Sequence, residues 1–139
     1  MFPAETKILI VDDMVTMRKI VRKSLKDLGY TNVEEANDGD VAWDLTQKVF
    51  SEGQGFELII SDWNMPKMKG IDFLKQVRAH GDDALKATPF MLLTAEAEKD
   101  QIISAIKAGT SSYILKPFTP VQLKEKMDAV WARLKQTAA

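Results

Sequence analysis

Five times between Ile8 and Leu134, a short segment, apolar in every case but Val33-Glu34-Glu35-Ala36, gives way to a stretch whose apolar residues recur every three or four positions. Short apolar runs bounded by turn residues read as buried strands, and the longer recurrence reads as a helix packed on one face. The expected strands are 8–11, 33–36, 56–61, 89–93 and 112–115. The helices between them are marked by Met17, Ile20, Val21, Leu25 and Leu28, by Val41, Ala42, Leu45 and Val49, by Phe73, Leu74 and Val77, by Ile102, Ile103 and Ile106, and by Leu123, Met127, Val130 and Leu134. Gly29 and Gly109 stand where helices should end, and Thr119 precedes Pro120 as a cap precedes a first-turn proline. Residues 79–88 read as a polar connection. Strict alternation of this kind gives a parallel sheet with right-handed crossovers and helices on both faces. The expected fold is therefore α/β, a doubly wound (βα)5 sheet forming a single domain over 1–139 without an output domain.

Composition narrows the function classes. The chain has 139 residues and a net charge of −1, so it lacks the basic excess that phosphate-backbone binding requires, and no nucleic acid partner is expected. It has no cysteine, which rules out disulfides and thiolate chemistry and suits a reducing compartment. The N-terminus has no signal-peptide pattern, and no apolar run approaches the ~20 residues that span a bilayer. A cytoplasmic monomer without a membrane partner is the expectation.

The polar residues of interest fall at strand ends. Asp12 and Asp13 follow the first strand, Asp62 ends the third, Thr94 the fourth and Lys116 the fifth. In a parallel sheet these ends share one edge, where open α/β folds bind ligands. Taken singly, each residue is an ordinary cap, turn or surface residue. Their collection on one edge is what calls for a function. Three carboxylates together repel, and a hard divalent cation with oxygen ligands relieves them. Mg²⁺ is the natural choice, because it takes one or two carboxylates and keeps positions for water and phosphate oxygens. Lys116 adds a cation suited to a phosphoryl oxygen, and Thr94 a hydroxyl donor. With Mg²⁺ bound, the site's formal charge is zero and a phosphoryl group can approach. A carboxylate can then accept it as a nucleophile, and Asp62, alone on its strand, is the candidate.

These residues resemble the receiver domain of two-component response regulators. Within that family they are most similar to the chemotaxis response regulators. The resemblance runs from Lys7-Ile8-Leu9-Ile10-Val11-Asp12-Asp13 to the last helix. It includes Thr16-Met17-Arg18, Val33-Glu34-Glu35-Ala36, Ser61-Asp62-Trp63-Asn64-Met65-Pro66, Thr94-Ala95-Glu96-Ala97 and Tyr113-Ile114-Leu115-Lys116-Pro117-Phe118. It implies a flavodoxin-like strand order 2-1-3-4-5. It implies that Asp62 is phosphorylated by a separate (CheA-like) histidine kinase. Asp13, Asp62 and the Asn64 carbonyl would hold Mg²⁺ directly, and Asp12 through water. Thr94 and Lys116 would hold the phosphoryl oxygens, Tyr113 would be an aromatic switch, and Lys116-Pro117 a cis peptide. Asn64 and Glu96 would flank the attacking water, giving a short-lived aspartyl-phosphate removed with or without a CheZ-like or other phosphatase. The output surface would include Lys99, Ile106, Tyr113, Leu115 and Lys126 and would bind the flagellar motor switch protein. Met14, Lys69, Glu98, Ile106 and Ser112 depart from the usual pattern; several lie toward the output surface and none in the phosphorylation chemistry.

Two alternatives use the same residues. A stand-alone receiver could serve as a phosphate sink or regulate a non-motor partner, and a Mg²⁺-dependent phosphohydrolase could use Asp62 as its nucleophile. A switch needs a persistent intermediate and a responsive surface, whereas an enzyme needs a substrate pocket. No substrate-specificity loop is evident, so no enzymatic activity is expected beyond self-phosphotransfer and autodephosphorylation. A flavin-binding module on this fold needs a phosphate cradle after the first strand, where this chain has two aspartates. His80, the only histidine, reads as a surface loop residue, Trp43 as partly exposed and Trp131 as packing.

Overall fold

The computed structural model describes residues 1–95 and 98–137. The strands are β1 (Ile8–Val11), β2 (Val33–Ala36), β3 (Leu58–Asp62), β4 (Phe90–Thr94) and β5 (Ser112–Leu115). The helices are α1 (Val15–Asp27), α2 (Gly39–Ser51), α3 (Gly70–Arg78), α4 (Asp83–Lys86), α5 (Lys99–Ala108) and α6 (Pro120–Thr137). All strand pairs are parallel, in the order β2-β1-β3-β4-β5. Fold class and strand order agree with expectation.

The alternation of side chains along each strand divides the core into two layers. Leu9, Val11, Ile59, Phe90 and Leu92 face one way and pack with Ala42, Phe73, Leu74 and Val77 of α2 and α3. Ile8, Ile10, Leu58, Ile60, Met91 and Leu93 face the other way and pack with Val21, Leu25, Leu123 and Met127 of α1 and α6. Strands apolar on both faces are what a parallel sheet covered by helices demands. Phe2 joins the second layer, its ring 5.0 Å from that of Trp131. Thr119 and Gln122 cap α6 reciprocally: the Gln122 N–H donates to Thr119 Oγ1 at 3.2 Å and the Thr119 N–H to Gln122 Oε1 at 2.9 Å.

The helical phase and one connection differ from expectation. Residues 79–88 contain the short helix α4, capped by Asp82, whose carboxylate accepts from the Ala84 N–H, and anchored by buried Leu85. In α5 only Ala105 is fully buried, with Ile102 and Ala108 half-buried beside it. That stripe leaves Ile103 and Ile106 each one position past a stripe residue, on the exposed side. Ile20 is likewise exposed, because Val21, Ser24 and Leu25 carry the buried face of α1. Val41, at the start of α2, is exposed as well. His80 is a loop residue but half-buried, 6.0 Å from the rings of both Trp43 and Phe50.

Arg78 ties two connections together, α3–β4 and α5–β5, at the opposite edge from the acidic residues. Its guanidinium donates to the carbonyls of Gly109 at 2.9 Å, Lys86 at 2.8 Å and Thr88 at 2.6 Å. Hydrogen bonds to a charged group contribute about 1.5–3 kcal/mol each when buried, and these are partly exposed and not additive. Arg78→Ala is therefore expected to lower unfolding free energy by about 2–3 kcal/mol in urea titrations. An unchanged urea midpoint would mean that solvent replaces the guanidinium at no cost.

Candidate functional site

Register brings the strand ends together. Val11 lies level with Ser61, Asp62 with Leu93 and Thr94 with Leu115. Asp12 therefore follows β1 beside Asp62, and Lys116 follows β5 beyond Thr94. Carboxylate oxygens of Asp12, Asp13 and Asp62 lie within 4.8 Å of one another. Asp12 and Asp62 are buried at 1% and 8% exposure, while Asp13 is exposed. Lys116 Nζ donates to Asp62 Oδ1 at 2.7 Å and to Asp12 Oδ2 at 3.3 Å. Among the described residues, this is where acidic side chains gather with the spacing of a metal site.

Backbone contacts hold each piece. The Asp12 N–H donates to Ala36 O at 3.2 Å, and Asp12 Oδ1 accepts from the Met14 N–H at 2.9 Å. The Lys116 N–H donates to Thr94 O at 2.8 Å, and the Lys116-Pro117 peptide is cis. Gly70, the first residue of α3, packs against the Asp62 carbonyl so closely that a Cβ would sit 2.1 Å from its oxygen. Only glycine lets α3 begin there, so Gly70 supports the backbone of the central aspartate. The sequence marks it only as loop punctuation.

The Asp12 carboxyl is raised above the usual carboxylate range, first by burial and further by the neighbouring Asp62, with the Met14 N–H and Lys116 opposing. The folded protein thus binds more protons than the unfolded chain between the ordinary carboxylate pKa and this raised one. Stability falls as pH rises through that window, and the penalty is complete at neutral pH. In the absence of divalent cations, Asp12→Asn is expected to melt above wild type at neutral pH, with the gap closing by about pH 3. Equal melting temperatures at neutral pH would contradict a burdened Asp12.

These residues fit a hard divalent cation. The donor set is all oxygen, two of its three carboxylates are paired with Lys116, and burial raises the pKa of one of them. Asn64 is exposed in the loop just beyond Trp63. Thr94 is buried at the end of β4. The register sets Thr94 diagonally from Tyr113, whose strand partner is Leu92, two residues before Thr94 on the same face. Tyr113 is half-buried against the first core layer, and Lys126 Nζ lies 5.2 Å above its ring. Tyr113, Leu115 and Lys126 share the lining of a cleft of about 370 Å³. Exposed Lys99 and Ile106 stand on α5, outside that lining. Glu96, expected beside the attacking water, lies outside the described residues.

A five-stranded parallel sheet with an aspartate pair, a central aspartate and a lysine on one edge defines a response regulator receiver domain. The receiver-domain family model matches residues 8–128, and the chain belongs to that family. Receiver domains are signalling modules that bind Mg²⁺ at such an acidic pocket. The chain is 50% identical over 128 residues to chemotaxis protein CheY-3 of Vibrio cholerae, covering 92% of this chain and 93% of that protein. It is 48% identical to chemotaxis protein CheY of Pseudomonas aeruginosa, covering 92% and 98%. Among solved structures, Vibrio cholerae CheY4 matches with a TM-score of 0.78 at 35% identity, covering 91% of this chain and 98% of that one. No helix among the described residues is long and apolar enough to cross a membrane.

Proposed function

We propose that this chain is a CheY-like response regulator. Asp62 accepts a phosphoryl group from a histidine kinase, and phosphorylation reshapes the α5–β5–α6 surface so that it binds the flagellar motor switch and controls rotation in chemotaxis. The observation that carries this reading is the gathering of three carboxylates within 4.8 Å of one another, two of them paired with Lys116, whose Nζ lies 2.7 Å from Asp62 Oδ1 and 3.3 Å from Asp12 Oδ2. The chemotaxis assignment rests on the names of the relatives at 50% and 48% identity.

A carboxylate oxygen of Asp62 attacks phosphorus of the donor phosphohistidine. The P–O bond forms as the P–N bond breaks, and the imidazole leaves with the electron pair and takes up a proton. Asp13, Asp62 and the Asn64 carbonyl would hold Mg²⁺, with Asp12 acting through water; bound Mg²⁺ offsets the charge of carboxylates and phosphoryl oxygens. Lys116 moves from carboxylate to phosphoryl oxygen as its partner's charge is transferred, and the Thr94 hydroxyl donates to another. Water later attacks phosphorus and releases inorganic phosphate, restoring the carboxylate; a phosphatase partner would speed this step.

The test is labelling of the wild-type protein with acetyl phosphate, read by intact mass. A mass increase of one phosphoryl group that requires Mg²⁺ supports the reading. Labelling that is unchanged in EDTA, or no labelling with Mg²⁺ present, would overturn it.

A further inference from the structure

We propose that Arg18, which belongs to neither the carboxylate set nor the output surface, is a positioning residue for the metal pocket. One Nη1–H of Arg18 donates to the backbone carbonyl of Asp12 at 2.7 Å. Its Nε–H donates to Glu35 Oε1 on β2 at 3.1 Å, and Glu35 Oε2 accepts from Arg22 at 2.6 Å. The Arg18 side chain is only 15% exposed, so this is a packed contact rather than a solvated surface pair.

The carbonyl matters because of where it lies. It belongs to the peptide joining Asp12 to Asp13, one residue beyond the end of β1, where the regular ladder stops. Its orientation sets the starting direction of the Asp13 side chain relative to Asp12. The Asp12 N–H is held by Ala36 O and its two carboxylate oxygens by Met14 N–H and Lys116. The guanidinium supplies the remaining anchor. Glu35 keeps it there by gripping a second N–H, so the turn carrying two carboxylates is braced against β2.

Electrostatics and positioning predict opposite signs for the loss of Arg18. A positive charge near a cation site repels the cation, so removing it should tighten Mg²⁺ binding. If Arg18 positions the pocket, removing it should weaken Mg²⁺ binding instead. Groups that orient metal ligands from outside typically change affinity by about 10–100-fold, and a contact through the backbone belongs at the lower end, about tenfold.

The inference rests on the reading that the acidic pocket takes Mg²⁺, and the experiment separates the two. Calorimetric Mg²⁺ titrations would compare wild type, Asp13→Asn, Arg18→Ala, Arg18→Lys and Lys19→Ala; Lys19 is an exposed cation on the same helix. Expected are binding lost in Asp13→Asn, Kd raised about tenfold in Arg18→Ala, a partial return in Arg18→Lys, and Kd unchanged or lower in Lys19→Ala. Lysine can reach the carbonyl but cannot grip Glu35 at the same time. Should Arg18→Ala fail to fold, Glu35→Gln, which loosens the same guanidinium, is expected to raise Kd a few-fold, and an unchanged Kd in that variant would overturn the proposal. Wild-type binding that depends on Asp13 but is equal or tighter in folded Arg18→Ala overturns the role of Arg18 alone. Absence of Asp13-dependent binding in wild type overturns the metal reading and this inference with it.

Discussion

Asp62→Asn is expected to reduce phosphoryl acceptance from acetyl phosphate to background, an all-or-none loss rather than a graded one. Asparagine preserves the shape of the buried side chain and can still accept a hydrogen bond from Lys116. It carries no anionic oxygen to form the acyl-phosphate bond. The lesion is therefore chemical and not structural, and the variant should fold and melt cooperatively. Asp12 and Asp13 lie close enough that one could in principle serve instead, but Asp12 is buried with one carboxylate oxygen held by the Met14 N–H and the other by Lys116. Intact-mass measurement after incubation with Mg²⁺ and acetyl phosphate reads the outcome. Full labelling of Asp62→Asn would move the nucleophile to another residue and remove the central position of β3 from the mechanism.

Thr94→Ala is expected to separate phosphorylation from output. On the proposed function the hydroxyl of Thr94 would serve either the phosphoryl oxygen or its unphosphorylated surroundings. Drawing it toward phosphate would open space along the β4–β5 face, where Tyr113 lies diagonally across the register. Tyr113 sits half-buried beneath Lys126, so its ring has both an inward and an outward environment. A residue with two such environments is a two-state element that both sites can bias. Allosteric couplings are typically ~1–3 kcal/mol, so phosphorylation should change partner affinity by roughly 5–150-fold in wild type. In Thr94→Ala, labelling of Asp62 should persist because Lys116 and the carboxylates remain, while the affinity ratio should fall toward about one. Titrating a motor-switch peptide into the variant with and without beryllofluoride, an acyl-phosphate mimic, provides the measurement. A ratio equal to that of wild type would take Thr94 out of the coupling.

The strands and the strand-end side chains were readable in the sequence because a parallel sheet writes them plainly. Four of the five strands are mostly apolar runs (β2 carries Glu34 and Glu35), and a polar residue that ends such a run can only lie at the rim. That logic located Asp12, Asp13, Asp62, Thr94 and Lys116. Helical phase was less readable. Ile103 and Ile106 dominate the apolar count of α5, yet the small Ala105 carries its buried face. The helix α4 rests on one buried leucine and one capping aspartate, too little for a periodic signal. Phe2 is buried from an irregular segment that has no period at all. Arg18, Arg78 and Gly70 act on backbone carbonyls, and a carbonyl has no letter in the sequence. Their partners become visible only when the chain is folded.

The central claim is that modification of Asp62 changes the affinity of a distant surface for its partner. It is tested most directly by titrating the wild-type protein with the motor-switch peptide in Mg²⁺, with and without beryllofluoride. The account predicts tightening of roughly 5–150-fold when beryllofluoride is present. Equal affinity in both conditions would contradict a motor switch and favour a receiver that serves as a phosphate sink.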